Sequence, residues 1–456
     1  MNSEDVRTQA RAAARRLLVA GAARGQDVAV RHHWLPPSDV GTPPAAAVAV
    51  KSETVAPETV APEPVAPPVP TDTGLPRWDF NTILHSLRGA ELRRMPRPRH
   101  TMLSAGCSDR GYFDWLAQCI GPVERHIGIE LYLPEPESLP PGVEWVKNSV
   151  GDMSSVAPGS VDLVFSGQNF EHLFHDDAVR FLVECHRVLE PGGHLVIDSP
   201  NRDAVERLGW THPEHTVEFT PAEASELVEL AGFDDIRVRG LWLCIDPATG
   251  GDLDLWPWPD GGVPPVEDVV MRSLGAAIDP EHSFVWWLEA RRGERSPEVA
   301  ALLSRHAEIH AKAWRARLQR VSHQAGELST QEGTPVVSVP LGVPGWLMFG
   351  PYVPLAPGSY TVRFTVRRRA EPGSTAAPAT TVCRVDVCNV AEVVFAEREL
   401  TLADLPDGQW TEVELAFDLK SLAWGGQFRI VSTGAAALDA RYVVDYDVIE
   451  PSQPQT

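Results

Sequence analysis

From His100 onward, short apolar runs alternate with segments whose apolar residues recur at helical spacing. The runs His100–Cys107, Arg125–Leu131, Val143–Val150, Ser160–Gly167 and His194–Ser199 predict strands. Between the last two, Ala178, Phe181, Leu182, Cys185 and Leu189 fall at helical spacing, and the pattern stops at Pro191-Gly192-Gly193. A second helix is predicted in "TPAEASELVELAGF", which opens with a threonine cap and a proline in the first turn and stops at Gly232. Strands alternating with helices predict a mostly parallel sheet covered on both faces. Two late strands, "FDDIRVRGLWLCID" and "FVWWLEARR", flank a Pro/Trp/Gly-rich insertion from about Pro247 to His282. Ser296–Gln324 reads as a long helix with Val299, Leu302, Ile309, Ala313 and Val321 on or near one face.

The two ends of the chain have different textures. Glu4–Gly25 is patterned as one amphipathic helix, and Leu35–Pro76 is dense in proline with "ETVAP" repeated in tandem. That second stretch lacks the apolar content to fold and reads as an extended spacer. "RWDFNTILHSLRGAELRRM" is a helical lead-in to the sheet. Beyond Gly333 short alternating strands separated by Gly, Pro and Asp turns predict a sandwich or jelly roll. The expected organisation is a helical segment (1–33), a linker (34–76), an α/β domain (77–295), a helical connector (296–330) and a β-sandwich (331–456).

Composition narrows the partners. A formal charge of -22 repels phosphate backbones and anionic lipid, so nucleic acid is excluded as the expected partner. Six cysteines without a CxxC pair suit a reducing compartment. The first 25 residues lack the basic start and apolar centre of a secretion signal, and no segment reaches the roughly 20 apolar residues of a membrane span. The expected location is the cytoplasm. Self-association, if the chain uses it, is expected through the helix 296–324 or the β-sandwich.

Ligands of open α/β sheets bind beyond the carboxyl ends of the strands. Four such ends carry candidate groups here. "SAGCSDRG" offers Gly106, Ser108 and Gly111, small enough for a ligand to approach the backbone. Glu130 closes the next strand nineteen residues after Gly111, near the distance at which an acidic residue meets a ribose. Asp152 follows in "NSVGDM", and "SGQNFEHL" follows "VDLVF". A strand-to-helix corner accounts for the glycines alone, but not for acidic residues at successive strand ends.

In that order of motifs, ending in "RVLEPGGHLVIDSPN", residues Arg77 to about Arg292 resemble a class I S-adenosylmethionine-dependent methyltransferase of the type 11 group. The resemblance implies a Rossmann-like seven-stranded sheet with helices on both faces. It implies that Ala105, Gly106, Ser108 and Gly111 pass close to the methionine part of S-adenosylmethionine and that Glu130 binds the ribose. Asp152 and Met153 would border the adenine, and Ser166 to Gln168 would line the floor near the sulfonium. Two positions depart from the family: Ser104 stands where an acidic residue is common, and Ser108 replaces the second glycine of the turn.

An acceptor hydroxyl has a high pKa and benefits from a base or a metal. Candidates are His172 and His215, with His175, Asp176, His212 and Glu214 nearby. The spacing of the last cluster admits a divalent cation but matches no metal motif, and no metal is expected. His306 and His310, four apart, read as a solvated helix face. Trp256 and Trp258 in a proline-rich loop are candidates for an aromatic platform, whereas Trp286 and Trp287 face opposite sides of a strand and read as packing. In the β region, "WLMFGPYVPLAPGSYTVRFTV" resembles the early strands of carbohydrate-binding jelly rolls. If that resemblance holds, the natural acceptor is a sugar hydroxyl of a glycan or glycosylated metabolite. The alternatives are a non-sugar small molecule, or a binding protein that has lost methyl transfer.

Overall fold

The computed structural model describes residues 79–449 except 99, 211, 213, 259–262 and 370–376, with His175 and Ile449 described by backbone only. The N-terminal helix and the proline-rich spacer lie outside the described residues.

Every residue of β1 (Thr101–Ala105) is buried, so both faces of this strand need cover. Leu103 and Ala105 enter one core, with Phe181 and Leu182 of α3 (His175–Val188), while Met102 enters another with Leu84 of α1 (Phe80–Arg94) and Leu116 of α2 (Arg110–Ile120). Around β1 the sheet runs β3 (Val143–Lys147), β2 (Arg125–Glu130), β1, β4 (Val161–Gly167), β5 (Leu189–Pro200), β7 (Val285–Arg292), β6 (Phe233–Gly240). Only β7 runs antiparallel to its neighbours. Trp286 and Trp287 bury into opposite cores.

Helix α3 stops at Val188, and Pro191-Gly192-Gly193 forms a bulge in β5 rather than a loop before it. Leu189 already pairs with Val161, and His194 resumes with Leu163. Residues 202–207 form α4 (Arg202–Arg207). Thr220 caps α5 (Pro221–Leu230) in a reciprocal capping box with Glu223. The late strand β6 ends at Gly240, short of the expected Asp246, and the insertion after it contains α6 (Val266–Ile278). Trp256 and Trp258 contact each other edge to face and pack on the α1/α2 core beside Trp242. They are not among the walls of the cleft at the carboxyl ends of the strands.

The connector helix α7 (Val299–Leu318) serves two cores. Leu302, Ile309 and Ala313 pack in the α/β core, and Trp314 and Leu318 pack against the β-rich one. Its apolar side is thus engaged within the chain, leaving Val299 and Leu303 exposed. His306 is buried beside Phe219, which corrects the solvated face expected of it.

Beyond α7 come β8 (Glu327–Gln331), β9 (Thr334–Val339), β10 (Gly345–Met348), β11 (Pro351–Leu355), β12 (Gly358–Arg368), β13 (Thr381–Cys388), β14 (Val394–Thr401), β15 (Trp410–Leu419), β16 (Ala423–Ser432), β17 (Leu438–Arg441) and β18 (Asp445–Ile449). They form two antiparallel sheets. One runs β10-β16-β13-β14 with β11 also on β16, and the other β15-β12-β17-β9-β8 with β18 also on β12. Val362, Phe364, Val385 and Phe428 from both sheets share one core. Among the described residues no helix is long and apolar enough to cross a membrane.

Candidate active site

At the carboxyl ends of β1, β2 and β4 lies a cleft of about 380 Å³, within the roughly 300–1,000 Å³ usual for small-molecule sites. Gly106, Ser108, Tyr112, Glu130, Gln168 and His172 are among its walls. Gly106 follows β1 at a φ of 75°, and a Cβ there would stand 2.4 Å from Asn169 Cγ. The glycine is therefore demanded by the approach of the β4 end as well as by any ligand. Ser108 Oγ is buried without a hydrogen-bond partner. Glu130 Oε1 accepts the backbone amides of Tyr132 (2.7 Å) and Leu133 (2.9 Å), which fixes its carboxylate at the end of β2.

One of the two departures has a local explanation. Ser104 is buried, with Oγ 2.7 Å from His126 Nε2 on the adjacent strand. Burial lowers the pKa of His126 to about 4, so the pair is neutral. Asp109 caps α2 by accepting from Tyr112 N (3.0 Å).

Several residues read from the sequence lie elsewhere. β3 ends at Lys147, three residues before the expected Val150; Ser149 and Val150 line the cleft, and Asp152 and Met153 are not among its walls. Asp152 is exposed and accepts from Ser154 N, which holds its carboxyl below the usual range; Met153 is fully buried in the core. Ala105 and Ser166 are buried behind the cleft wall, and Gly111 is in the first turn of α2. Asp176 is exposed, and Asp177 is the residue of that pair that lines the cleft.

Beneath the floor is an ion pair that the sequence does not announce. Arg88 of α1 and Asp198 of β5, both fully buried, meet at 2.9 Å, and Asp198 also accepts from Gln168 Nε2 at 2.7 Å. Burial pushes the Asp198 carboxyl up, opposed by Arg88. These contacts hold Gln168 at a φ of 53°, an uncommon conformation for a side-chain-bearing residue.

At the far end, His172 Nδ1 is 3.1 Å from the Glu214 carbonyl. A carbonyl only accepts, so Nδ1 carries the proton and Nε2 the lone pair. His215 stands behind it, ring centroids 4.7 Å apart, with Nδ1 2.9 Å from Glu218 Oε1. Glu218 is paired with buried Arg317 at 3.4 Å. Glu171, fully buried, faces His215 Nε2 at 3.9 Å, and burial raises its pKa to about 8. The β-rich region also reaches this cleft: half-buried Trp424 of β16 lines it and meets Tyr132 edge to face at 5.7 Å.

The strand order and the cleft at the strand ends define a cofactor-binding α/β domain. Residues 103–197 match the family model described as "Methyltransferase domain". A probable S-adenosylmethionine-dependent methyltransferase of Mycolicibacterium smegmatis is 33% identical over 138 residues, 29% of this chain and 51% of that protein. One from Mycobacterium tuberculosis is 33% identical over 144 residues, 31% of this chain and 51% of its own length. The chain spans about half the length of these curated relatives. A solved S-adenosylmethionine-dependent methyltransferase from Archaeoglobus fulgidus matches 45% of this chain and 93% of its own at 20% identity and a TM-score of 0.32. Residues 103–197 are thus similar to a methyltransferase domain, and the relatives that share this region are described as probable S-adenosylmethionine-dependent methyltransferases.

Proposed function

We propose that this chain is an enzyme that moves a methyl group from S-adenosylmethionine to a sugar hydroxyl of a glycan or glycosylated metabolite. The observation that carries the reading is the presence in one cleft of an oriented carboxylate, Glu130, and a histidine, His172, whose Nε2 carries a lone pair. The orphaned Ser108 Oγ fits a polar group of the cofactor. Glu130 would hold the ribose hydroxyls, Gly106 and Ser108 the amino-acid end, and Gln168 the floor near the sulfonium, with Ser149 and Val150 bordering the adenine. When bound, S-adenosylmethionine supplies a methyl group open to in-line attack by an acceptor oxygen. His172 would accept the hydroxyl proton at Nε2, with His215 and Glu171 supporting it from behind.

Trp424 is the support for a sugar. An aromatic face at the cleft, contributed by a β-rich region we take to be a carbohydrate-binding jelly roll, suits the apolar face of a pyranose. Six buried free thiols support a reducing compartment, which we take to be the cytoplasm.

Calorimetric titration of the full chain with S-adenosylmethionine, beside Glu130→Ala, tests the cofactor half. Hydrogen bonds to a charged group are worth about 1.5–3 kcal/mol, so binding is expected to weaken by roughly 10- to 100-fold. Transfer of labelled methyl to a panel of glycans and non-sugar hydroxyl compounds tests the acceptor half. No cofactor binding by the intact protein would overturn the enzyme reading, and labelling of non-sugar acceptors alone would overturn the glycan.

A further inference from the structure

Glu171 is a fully buried acidic residue of the α/β domain. The Ser199 hydroxyl and its own backbone amide are nearby donors, but there is no hydrogen bond of good geometry to either carboxylate oxygen. A buried carboxyl group left in that condition is costly and calls for a compensating partner. What faces it is a pair of imidazoles: the donor atoms of Glu171, His172 and His215 all lie within 4.8 Å of one another.

Both imidazoles are oriented in the same sense. The His172 Nδ1–H donates to the Glu214 carbonyl and the His215 Nδ1–H to the Glu218 carboxylate, so in each neutral ring the lone pair is on Nε2. Metal-ligating histidines almost always have such a partner on the other nitrogen, which fixes the tautomer and raises the basicity of the ligating atom. Glu218 is itself held by Arg317, so its charge is matched and it can serve as that outer partner. Among the described residues no Lys or Arg is paired with Glu171; Arg317 is engaged with Glu218 and with the His212 carbonyl.

We propose that Glu171, His172 and His215 form a binding site for a divalent first-row transition cation at the edge of the cleft. Two imidazoles and one carboxylate on one side of an ion, with other positions open, is a donor set for zinc, iron or manganese. Ligand bonds of about 2.0–2.2 Å would draw the donors to within about 4 Å of one another, a small contraction from their present spacing. Because His172 also lines the cleft, the open positions would face the acceptor side, where an acceptor hydroxyl could coordinate; the cation would then take the Nε2 lone pair of His172 and activate the hydroxyl in place of proton transfer to that nitrogen. That last consequence rests on the methyltransferase reading above; cation binding does not.

The test is calorimetric titration of chelator-treated full-length protein with Zn²⁺ and, separately, Mn²⁺. One site per chain is expected, lost in Glu171→Gln and His215→Gln and weakened by about 10- to 100-fold in Glu218→Gln, which only orients His215. Co²⁺ gives a second readout, a visible absorption band that disappears in the same variants. Circular dichroism and S-adenosylmethionine binding of each variant separate loss of the site from loss of the fold. A wild-type chain that binds no cation, or a Glu171→Gln variant that binds as well as wild type, overturns the proposal. Failure of the wild type to bind S-adenosylmethionine leaves it standing and overturns the cofactor reading alone.

Discussion

Arg88 and Asp198 are 110 residues apart in the chain, and neither has a neighbour in sequence that marks it. Together they tie the lead-in helix to the floor of the cleft. Removing one partner of a buried ion pair leaves an uncompensated charge and costs about 3–5 kcal/mol. Arg88→Met is therefore expected to lower the denaturant midpoint strongly, and adding Asp198→Asn to recover most of the loss. An additive double variant would show that the pair is not coupled. Glu130 was legible because its strand and the distance from the glycine turn are local properties. Asp152 was harder to place because its position depends on where β3 ends, and the strand stops three residues short of its apolar run. Glu171 was passed over because its significance comes from burial, which an acidic residue in a polar stretch does not advertise.

At the scale of elements, periodicity served well where one face is buried. The capped α5, the bounds of β4 and the opposed tryptophans of β7 all follow from local pattern. Thr220→Ala removes one half of the α5 capping box and is expected to cost about 1 kcal/mol, seen as a lower thermal midpoint with the fold retained. An unchanged midpoint would mean that packing alone sets where the helix begins. Elements whose signal is weak locally were missed. Helix α6 lies in an insertion that begins with prolines and tryptophans, and several of its apolar residues are exposed, among them Met271 and Ile278. The short β8 is largely exposed along its length, so no alternation marks it.

Helix α7 decides how the whole molecule can be divided. A boundary at residue 295, natural from the sequence, would remove Leu302, Ile309 and Ala313 from the α/β core. Three such side chains carry several kcal/mol of burial, at about 1.5–3 kcal/mol for each large one. A chain ending at 295 is expected to be markedly less stable than one ending at 319, as measured by thermal melting of both; equal midpoints would show that α7 contributes little to this domain. The amphipathic pattern of α7 was readable, but its division between two partners was not, because a single stripe of apolar residues does not say how many surfaces it meets.

Trp424 lines the cleft whose other walls come from the ends of the α/β strands, and it belongs to β16 of the β-rich region. The doorway of the site is therefore built from two folding units, and its width follows any tilt between them. A change at Trp424 therefore reshapes the mouth of the site without altering a residue of the α/β sheet.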